Sequence, residues 1–422
     1  MSKLRNILNS LFNFLDRNEK HTLLFLMIFS ALIKIVFISI AFSEHGTTKW
    51  SDDFLYLNYG QQLSEGNWMF DMITAPVIPL LVATFRLMFL NPIIPFFIYN
   101  IIASSLFIIV IFHLAVELFE KRTAWFIAFW GTVFFETIRY SNHITKEDTV
   151  ILLVPLTLFL LVKHVKLSKE QKPKYLILSV FVFSLLIHTD ERFFAYIIFF
   201  PFLFMYRNHF RLSGLIRSLS IWLGLLALFM LPWGIRNFLL YEQVVIISPR
   251  TTAITSYFWG ENIAEGASHF SDERIREIST KERYKNAKVF GNRYGLNPRK
   301  FNKCEARLRA FFHFWQPTFY LPTYIQWGFR TAKWSIGHNF ASILFYGMFL
   351  PFYIAGFFRF LLRKKYFMLT VAAMPIFNSA IHAYMVWPLE RYRTPLTFIV
   401  VMIGINLIMC FIHTRKKSLV PA

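Results

Sequence analysis

Two adjacent stretches decide how the chain folds: residues 22–42, TLLFLMIFSALIKIVFISIAF, and residues 50–68, WSDDFLYLNYGQQLSEGNW. The first is about 20 apolar residues, the length that crosses a bilayer as a helix, with Lys34 as its one charge. A cleaved signal peptide is the alternative reading. It is disfavoured because such peptides have shorter apolar cores, and because the polar flank before residue 22 is itself long. The second stretch then sets Asp52 and Asp53 just outside the membrane. Phe54, Leu55, Tyr56, Leu57, Tyr59 and Leu63, interleaved with Asn58, Gln61, Gln62 and Glu65, suit a short interfacial helix that stops at Gly66. The two carboxylates would sit in its first turn, where the helix dipole favours the ionised form.

Working outward, composition places the whole chain in the bilayer. Of 422 residues 56% are hydrophobic, 19% aromatic and only 16% charged, too apolar for a soluble protein of this length. The expected fold is therefore an all-α polytopic membrane protein. The net charge of +21 could point to nucleic acid. The Lys and Arg residues fall in short clusters between apolar runs, however, as the positive-inside rule requires, so no nucleic-acid partner is expected. Cys304, in a long polar loop, and Cys410, near the inner end of the last apolar run, form no disulfide framework.

The apolar runs predict roughly ten membrane segments, within a range of eight to twelve. After a basic amphipathic lead over residues 1–21 they fall at about 22–42, 92–118, 123–138, 149–163, 175–188, 193–206, 218–235, 341–361, 366–387 and 395–413. The short run PVIPLLVATFRLMFL, with Pro76, Pro79 and Arg86, reads as a re-entrant or interfacial piece. Three regions follow: 1–235, a membrane module with acidic outer loops; 236–340, a large outer loop; and 341–422, the last membrane helices with a basic cytoplasmic tail. Both termini are expected in the cytoplasm, since EKR, KHVKLSKEQKPK, YRNHFRLSGLIR, RFLLRKK and HTRKK then lie inside.

That topology, drawn from Lys and Arg alone, sends every cluster of mixed polar chemistry to the outer face. Asp52 and Asp53 lie there, with RYSNHITKED, HTDER, PWGIRN and HAYMVWPLERYR. Carboxylates and arginines gathered at one interface fit chemistry on a substrate that is part lipid and part phosphate. Arg forks grip phosphate oxygens in pairs, and a carboxylate can take a proton from an attacking hydroxyl or amine. Sugar transfer from a polyprenyl phosphate fits best, because the donor's tail needs an apolar groove and its headgroup needs cations. A transporter or flippase of lipid-linked sugars is the alternative. It would ordinarily carry ionisable groups near the midplane and repeated halves, whereas the spans here hold only Lys34 and His113, with no internal repeat. A third reading is a non-catalytic accessory protein.

These motifs resemble the multispanning GT-C glycosyltransferases, particularly bacterial relatives of protein O-mannosyltransferases and of the lipid A aminoarabinose transferase. Their first outer loop reads as an acidic pair, a nearby Tyr, a small residue and a Gly, matched by Asp52, Asp53, Tyr56, Gly60 and Gly66. Pro76 and Pro79 resemble the proline-bearing approach to the next segment. YSNHITKEDTVILLVPLTLFLL resembles the second acidic motif, with Glu147 or Asp148 as the acid. LLIHTDERFF resembles a segment that usually ends in Thr-Arg, here separated by Asp190 and Glu191 before Arg192. LPWGIRNFLLYEQVVIIS and ERYRTPL resemble the stretches that open and follow the large outer loop.

The resemblance implies a bacterial inner-membrane enzyme whose active site faces the periplasm or exterior. Asp52, ahead of Asp53, would accept the acceptor's proton. Arg236, Arg391, Arg393 and Arg192 would hold the departing lipid phosphate. Glu147 and Asp148 would complete the pocket with Tyr56, His382 and Tyr392. The partners would be a polyprenyl-phosphate sugar, membrane lipids, and an envelope glycan, lipid or protein acceptor. No cofactor is required outright; a divalent cation, Mg or Mn, could be held by oxygen ligands from two loops. Each motif also has a plainer reading. Asp52 and Asp53 could cap a helix after Ser51, and Glu147 and Asp148 could begin another. The arginines could anchor segment ends, Trp233 could belong to an aromatic belt, and His188 and His382 could be structural hydrogen-bonding groups.

Overall fold

The computed structural model describes residues 2–45, 51–70, 72, 74–166, 172–207, 211–241, 245–247, 308, 311, 312, 314, 315, 340–384 and 392–417. Every regular element among them is helical. An amphipathic helix α1 (Ser2–Arg17) buries Phe12 and Leu15 and leads into the long α2 (Glu19–His45). The interfacial pair α3 (Ser51–Ser64) and α4 (Val77–Phe89) follows, then α5 (Ile93–Leu118). The segment expected at 123–138 is broken. It forms α6 (Lys121–Thr132) and, after an extended Phe134, the six-residue α7 (Phe135–Tyr140). Next come α8 (Glu147–Lys166) and α9 (Lys172–Thr189), a 3-10 helix (Glu191–Ile198), α10 (Phe199–Arg207) and α11 (Leu212–Tyr241). The last third holds α12 (Leu350–Leu362), α13 (Tyr366–Tyr384) and α14 (Thr394–Lys417).

Among the described residues six helices are long and apolar enough to cross a membrane: Glu19–Ile40, Ile93–Leu118, Glu147–Lys166, Leu212–Leu240, Phe340–Leu362 and Thr394–Ile412. Their burial sorts them. The α8 span is 78% buried and α14's is 67%, so these two form the centre, whereas α2 and α11, at 22% and 17%, form the rim. On α2 the division follows helical period. Leu23, Leu26, Ser30 and Lys34 face the protein, and Leu24, Phe25, Ile28, Leu32, Ile35 and Val36 are exposed, as a lipid-facing stripe requires.

The interfacial pair owes its geometry to two glycines. Gly60 faces α4 so closely that a Cβ there would lie 2.4 Å from Val82 Cγ1 and 3.1 Å from the Ala83 backbone nitrogen. Gly66 ends α3 at φ +83°, where the Gly66 amide donates to the Leu63 carbonyl and the Asn67 amide to that of Gln62. This is the paired-bond helix stop for which glycine is favoured.

Polar side chains pair within each end of the bundle. At one end Lys121 meets Asp16 at 3.5 Å and Glu19 at 2.6 Å, Trp125 Nε1 donates to Asp16 at 2.9 Å, and Lys163 meets Glu117 at 2.5 Å. At the other end lie the pairs of the candidate site. Each of these contacts joins residues that the charge-based topology assigns to the same side.

Candidate active site

The site is assembled on the turn at residues 141–146, between α7 and α8, which is buried along most of its length. His143, Ile144 and Thr145 are buried, and the Nδ2 of Asn100, itself fully buried on α5, donates to the His143 carbonyl at 2.7 Å. One helical turn along α8 a second tie forms, from the Tyr99 hydroxyl to Thr149 Oγ1 at 2.9 Å. The turn then offers side chains in two directions.

Toward α3 it offers His143. Asp53, in the first turn of α3 and 4% exposed, brings Oδ2 to 3.6 Å from His143 Nδ1. Burial pushes the His143 imidazole below its ordinary pKa, against the upward pull of Asp53, so the ring is held toward its neutral form. Glu147, 3% exposed at the start of α8, adds its negative charge to the same surroundings. Tyr56 lies one turn beyond Asp53 on the buried face of α3, in an apolar cluster with Ile78, Val82, Phe96 and Ile144.

Toward the 3-10 helix the turn offers Lys146, whose Nζ lies 3.2 Å from Asp190 Oδ1. Asp190 also caps that helix, accepting from the Arg192 amide at 3.3 Å, and receives the Arg192 guanidinium as a fork, with Nε to Oδ1 at 2.7 Å and Nη2 to Oδ2. Burial alone would raise the Asp190 pKa. Arg192 and Lys146 outweigh it and hold the carboxyl well below the usual carboxylate range. The other face of Arg192 rests on Tyr392, 3.8 Å from Cζ to ring centre. Tyr392 stacks on His382 at 4.6 Å, and His382 on Phe314 at 5.5 Å. The Nδ2 of Asn378 fixes this column by donating to the Tyr392 carbonyl at 2.7 Å. A continuous line of planar groups thus joins α13 to Arg192 and, through Asp190, to Lys146 of the turn.

The remaining arginines are built in differently. Arg393, 6% exposed, lies over Tyr346 at 4.0 Å and donates to the Phe314 carbonyl at 3.2 Å and Ser342 Oγ at 3.4 Å. It shares with Glu136 the wall of a void of about 10 Å³, room for about one water. Arg236 on α11 donates to the carbonyls of Trp68, at 3.0 Å, and Phe70, and to Asn237 Oδ1 at 2.9 Å, so it ties α11 to the chain leaving α3. The side chain of Asp52 and all of Arg391 lie outside the described residues.

The structure therefore gathers Asp53, Glu147, Asp148, Arg192, His382 and Tyr392 near one turn, sets Arg393 beside Glu136 of α7, and gives Arg236 to the chain leaving α3 instead. His143, Lys146 and Asp190 were missing from the expected site. Each stands within a motif singled out for its carboxylates, but a lone His, Lys or Asp gave no signal of its own. His188, read as structural, points its Nδ1 at the Ser184 carbonyl, 2.8 Å away. Among the described residues no three His, Cys, Asp or Glu side chains converge as a metal-holding group.

Comparison with known proteins extends this picture. The family model for dolichyl-phosphate-mannose-protein mannosyltransferases matches residues 74–235, under half of the chain. The Archaeoglobus fulgidus oligosaccharyltransferase in its apo form superposes with a TM-score of 0.54 at 14% identity, over 94% of this chain and 51% of that one. The same archaeal enzyme, AglB, in complex with an inhibitory peptide and a dolichol-phosphate gives 0.54 at 14%, over 96% and 52%. Its complex with Zn and sulfate gives 0.55 at 14%, over 93% and 50%. The chain thus spans about half the length of these solved relatives. No curated protein matches it by sequence.

Proposed function

We propose that this chain, which carries the GT-C fold, is a membrane glycosyltransferase that moves a sugar from a polyprenyl-phosphate donor to an envelope glycan, lipid or protein acceptor on the outer face of a bacterial inner membrane. The observation that carries the reading is the buried Asp53 at the head of α3, facing the same turn that presents His143, Lys146 and Glu147. A soluble-facing helix cap would have no reason to be buried against a second acidic motif. The dolichol-phosphate bound by the archaeal relative supports the donor class.

The chemistry is a single displacement. The acceptor's oxygen or nitrogen attacks the anomeric carbon while the bond from that carbon to the phosphate oxygen breaks, and the configuration inverts. Asp52 or Asp53 takes the proton from the attacking group. The electron pair of the broken bond leaves on the lipid phosphate, where Lys146 and Arg192, backed by Arg391, Arg393 and Arg236, supply the positive field. Neutral His143 orients the Asp53 carboxylate without competing for its charge. A divalent cation, Mg or Mn, would be held by carboxylate oxygens of the two acidic motifs, Asp53 and Glu147, and would supply positive charge to the departing phosphate.

The test is transfer of radiolabelled sugar from a panel of polyprenyl phosphates by purified protein in liposomes. Label reaching an acceptor supports the reading. Label that crosses from one leaflet to the other without transfer would replace it with the flippase reading.

A further inference from the structure

Helix α3 has two different faces. Asp53, Tyr56 and Leu63 are buried against the protein, whereas Phe54, Leu57, Asn58 and Gln61, also at helical spacing, line an open groove between α3, the end of α4 and the start of α5. The groove has a volume of about 550 Å³, within the range of small-ligand sites.

Its polar groups are donors in search of an acceptor. Arg86 of α4 is half-buried at the groove, and its guanidinium meets no carboxylate, hydroxyl or carbonyl among the described residues. The Asn58 amide is likewise unengaged among them, and Asn91 commits its side-chain oxygen to the Ile93 amide, which leaves its Nδ2 to donate outward. No carboxylate lines the groove, and the N-terminus of the long α5 adds the positive end of its dipole. Such a setting selects an anion that can accept a forked grip from Arg86.

The apolar groups indicate what carries the anion. Leu90, 89% exposed, rims the groove, and Leu87, Met88 and Phe89 before it are exposed as well. From the groove an exposed stripe runs along the membrane-spanning α5 through Ile94, Ile98, Ile102 and Leu106. The rise from Ile94 to Leu106 is about 18 Å, close to the roughly 15 Å of hydrocarbon in one leaflet. Acyl chains laid on that stripe bring a headgroup phosphate to Arg86. Asp53, His143 and Glu147 do not line the groove, so its occupant is not the lipid that reacts.

We propose that the groove between α3, α4 and α5 binds the phosphodiester headgroup of an anionic membrane phospholipid, with Arg86 on the phosphate and the acyl chains along α5. The lipid covers the exposed back of α3, the helix whose acidic head faces the turn.

The test is fluorescence quenching in phosphatidylcholine nanodiscs. A full chain with Cys304 and Cys410 replaced by Ser carries one fluorophore at Leu87→Cys, next to Arg86 and 71% exposed. Phosphatidylglycerol with brominated acyl chains should quench it about twofold or more beyond equally brominated phosphatidylcholine, since one Arg at a membrane surface concentrates anionic lipid several-fold. Arg86→Gln, checked for an unchanged elution profile, should bring the two lipids level. A fluorophore at Leu228→Cys, on the exposed side of α11, should show no preference. Equal quenching by both lipids at residue 87, an excess that survives Arg86→Gln, or an excess as large at residue 228 would each overturn the site. Loss of the excess on adding inorganic phosphate would reassign the groove to a free anion, and loss on adding stoichiometric polyprenyl phosphate would reassign it to the donor lipid; either result overturns the proposal. No sugar transfer is read, so this site and the transferase reading can fail separately.

Discussion

Asp190 shows how much one buried side chain can hold. It takes a fork from Arg192, a contact from Lys146 and the cap of the 3-10 helix. Asp190→Ala strands two cations among buried groups, and a loss of roughly 3–5 kcal/mol is expected by denaturant or thermal unfolding. Because the folded carboxyl titrates below its unfolded value near 3.9, the stability it supplies is complete above that value and is lost as pH falls through the acid range beneath it. His143 adds an earlier slope. Its folded pKa is lowered, so the unfolded chain binds the extra proton first, and stability declines as pH falls below about 6.5. His143→Asn should flatten the unfolding-temperature profile just below pH 6.5, and a variant with the wild-type slope there would contradict this origin. These residue-scale features were poorly legible in the sequence. HTDER announced an acid and a base, but their mutual fork, and the use of Arg236 to hold two backbone carbonyls, depend on partners that no local pattern encodes.

At the scale of elements, α3 was the most legible. Its apolar spacing, its acidic first turn and its stop at Gly66 all follow from local rules, and the structure ends it with the expected left-handed glycine. What the spacing could not show was the partner that Gly60 accommodates. Gly60→Ala drives a methyl group into Val82, and a destabilisation of about 1–3 kcal/mol is expected. Val82→Ala in the same chain should return only part of it, because it removes Cγ1 at 2.4 Å but keeps the Cβ that would lie 2.6 Å from the new methyl group. Unfolding measurements on the two single variants and the double variant decide the matter, and equal losses with and without Val82→Ala would show that the helices do not meet there. The break between α6 and α7 was hidden for a different reason. Val133 and Phe134 are apolar and no proline marks the spot, so hydropathy reads straight through a change of direction that tertiary packing imposes.

Across the whole molecule, alternating apolar runs and basic flanks were enough to predict a polytopic helical protein whose chemistry gathers at one end. Among the described residues Asp16, Glu19, Glu117, Lys121 and Lys163 pair among themselves at one end, and Asp53, His143, Lys146, Asp190 and Arg192 at the other. The convergence of three separate loops on residues 141–146 could not be read from spacing, since it depends on how α5, α8 and the 3-10 helix pack. Sidedness is testable directly. In a chain with Cys304 and Cys410 replaced by Ser, Glu65→Cys, exposed after α3, should react with a membrane-impermeant maleimide applied outside, and Lys364→Cys, exposed between α12 and α13, should react only after permeabilisation. The reverse pattern would turn the site toward the cytoplasm.

The central claim is that the acidic head of α3 performs the transfer, and the direct measurement is sugar transfer from a polyprenyl phosphate by wild type, Asp52→Asn and Asp53→Asn, each first checked for an unchanged elution profile in detergent. The account predicts that at least one of the two variants loses transfer by about 10²-fold or more while remaining folded, as expected when a positioned proton acceptor is removed. Wild-type rates in both variants would contradict it.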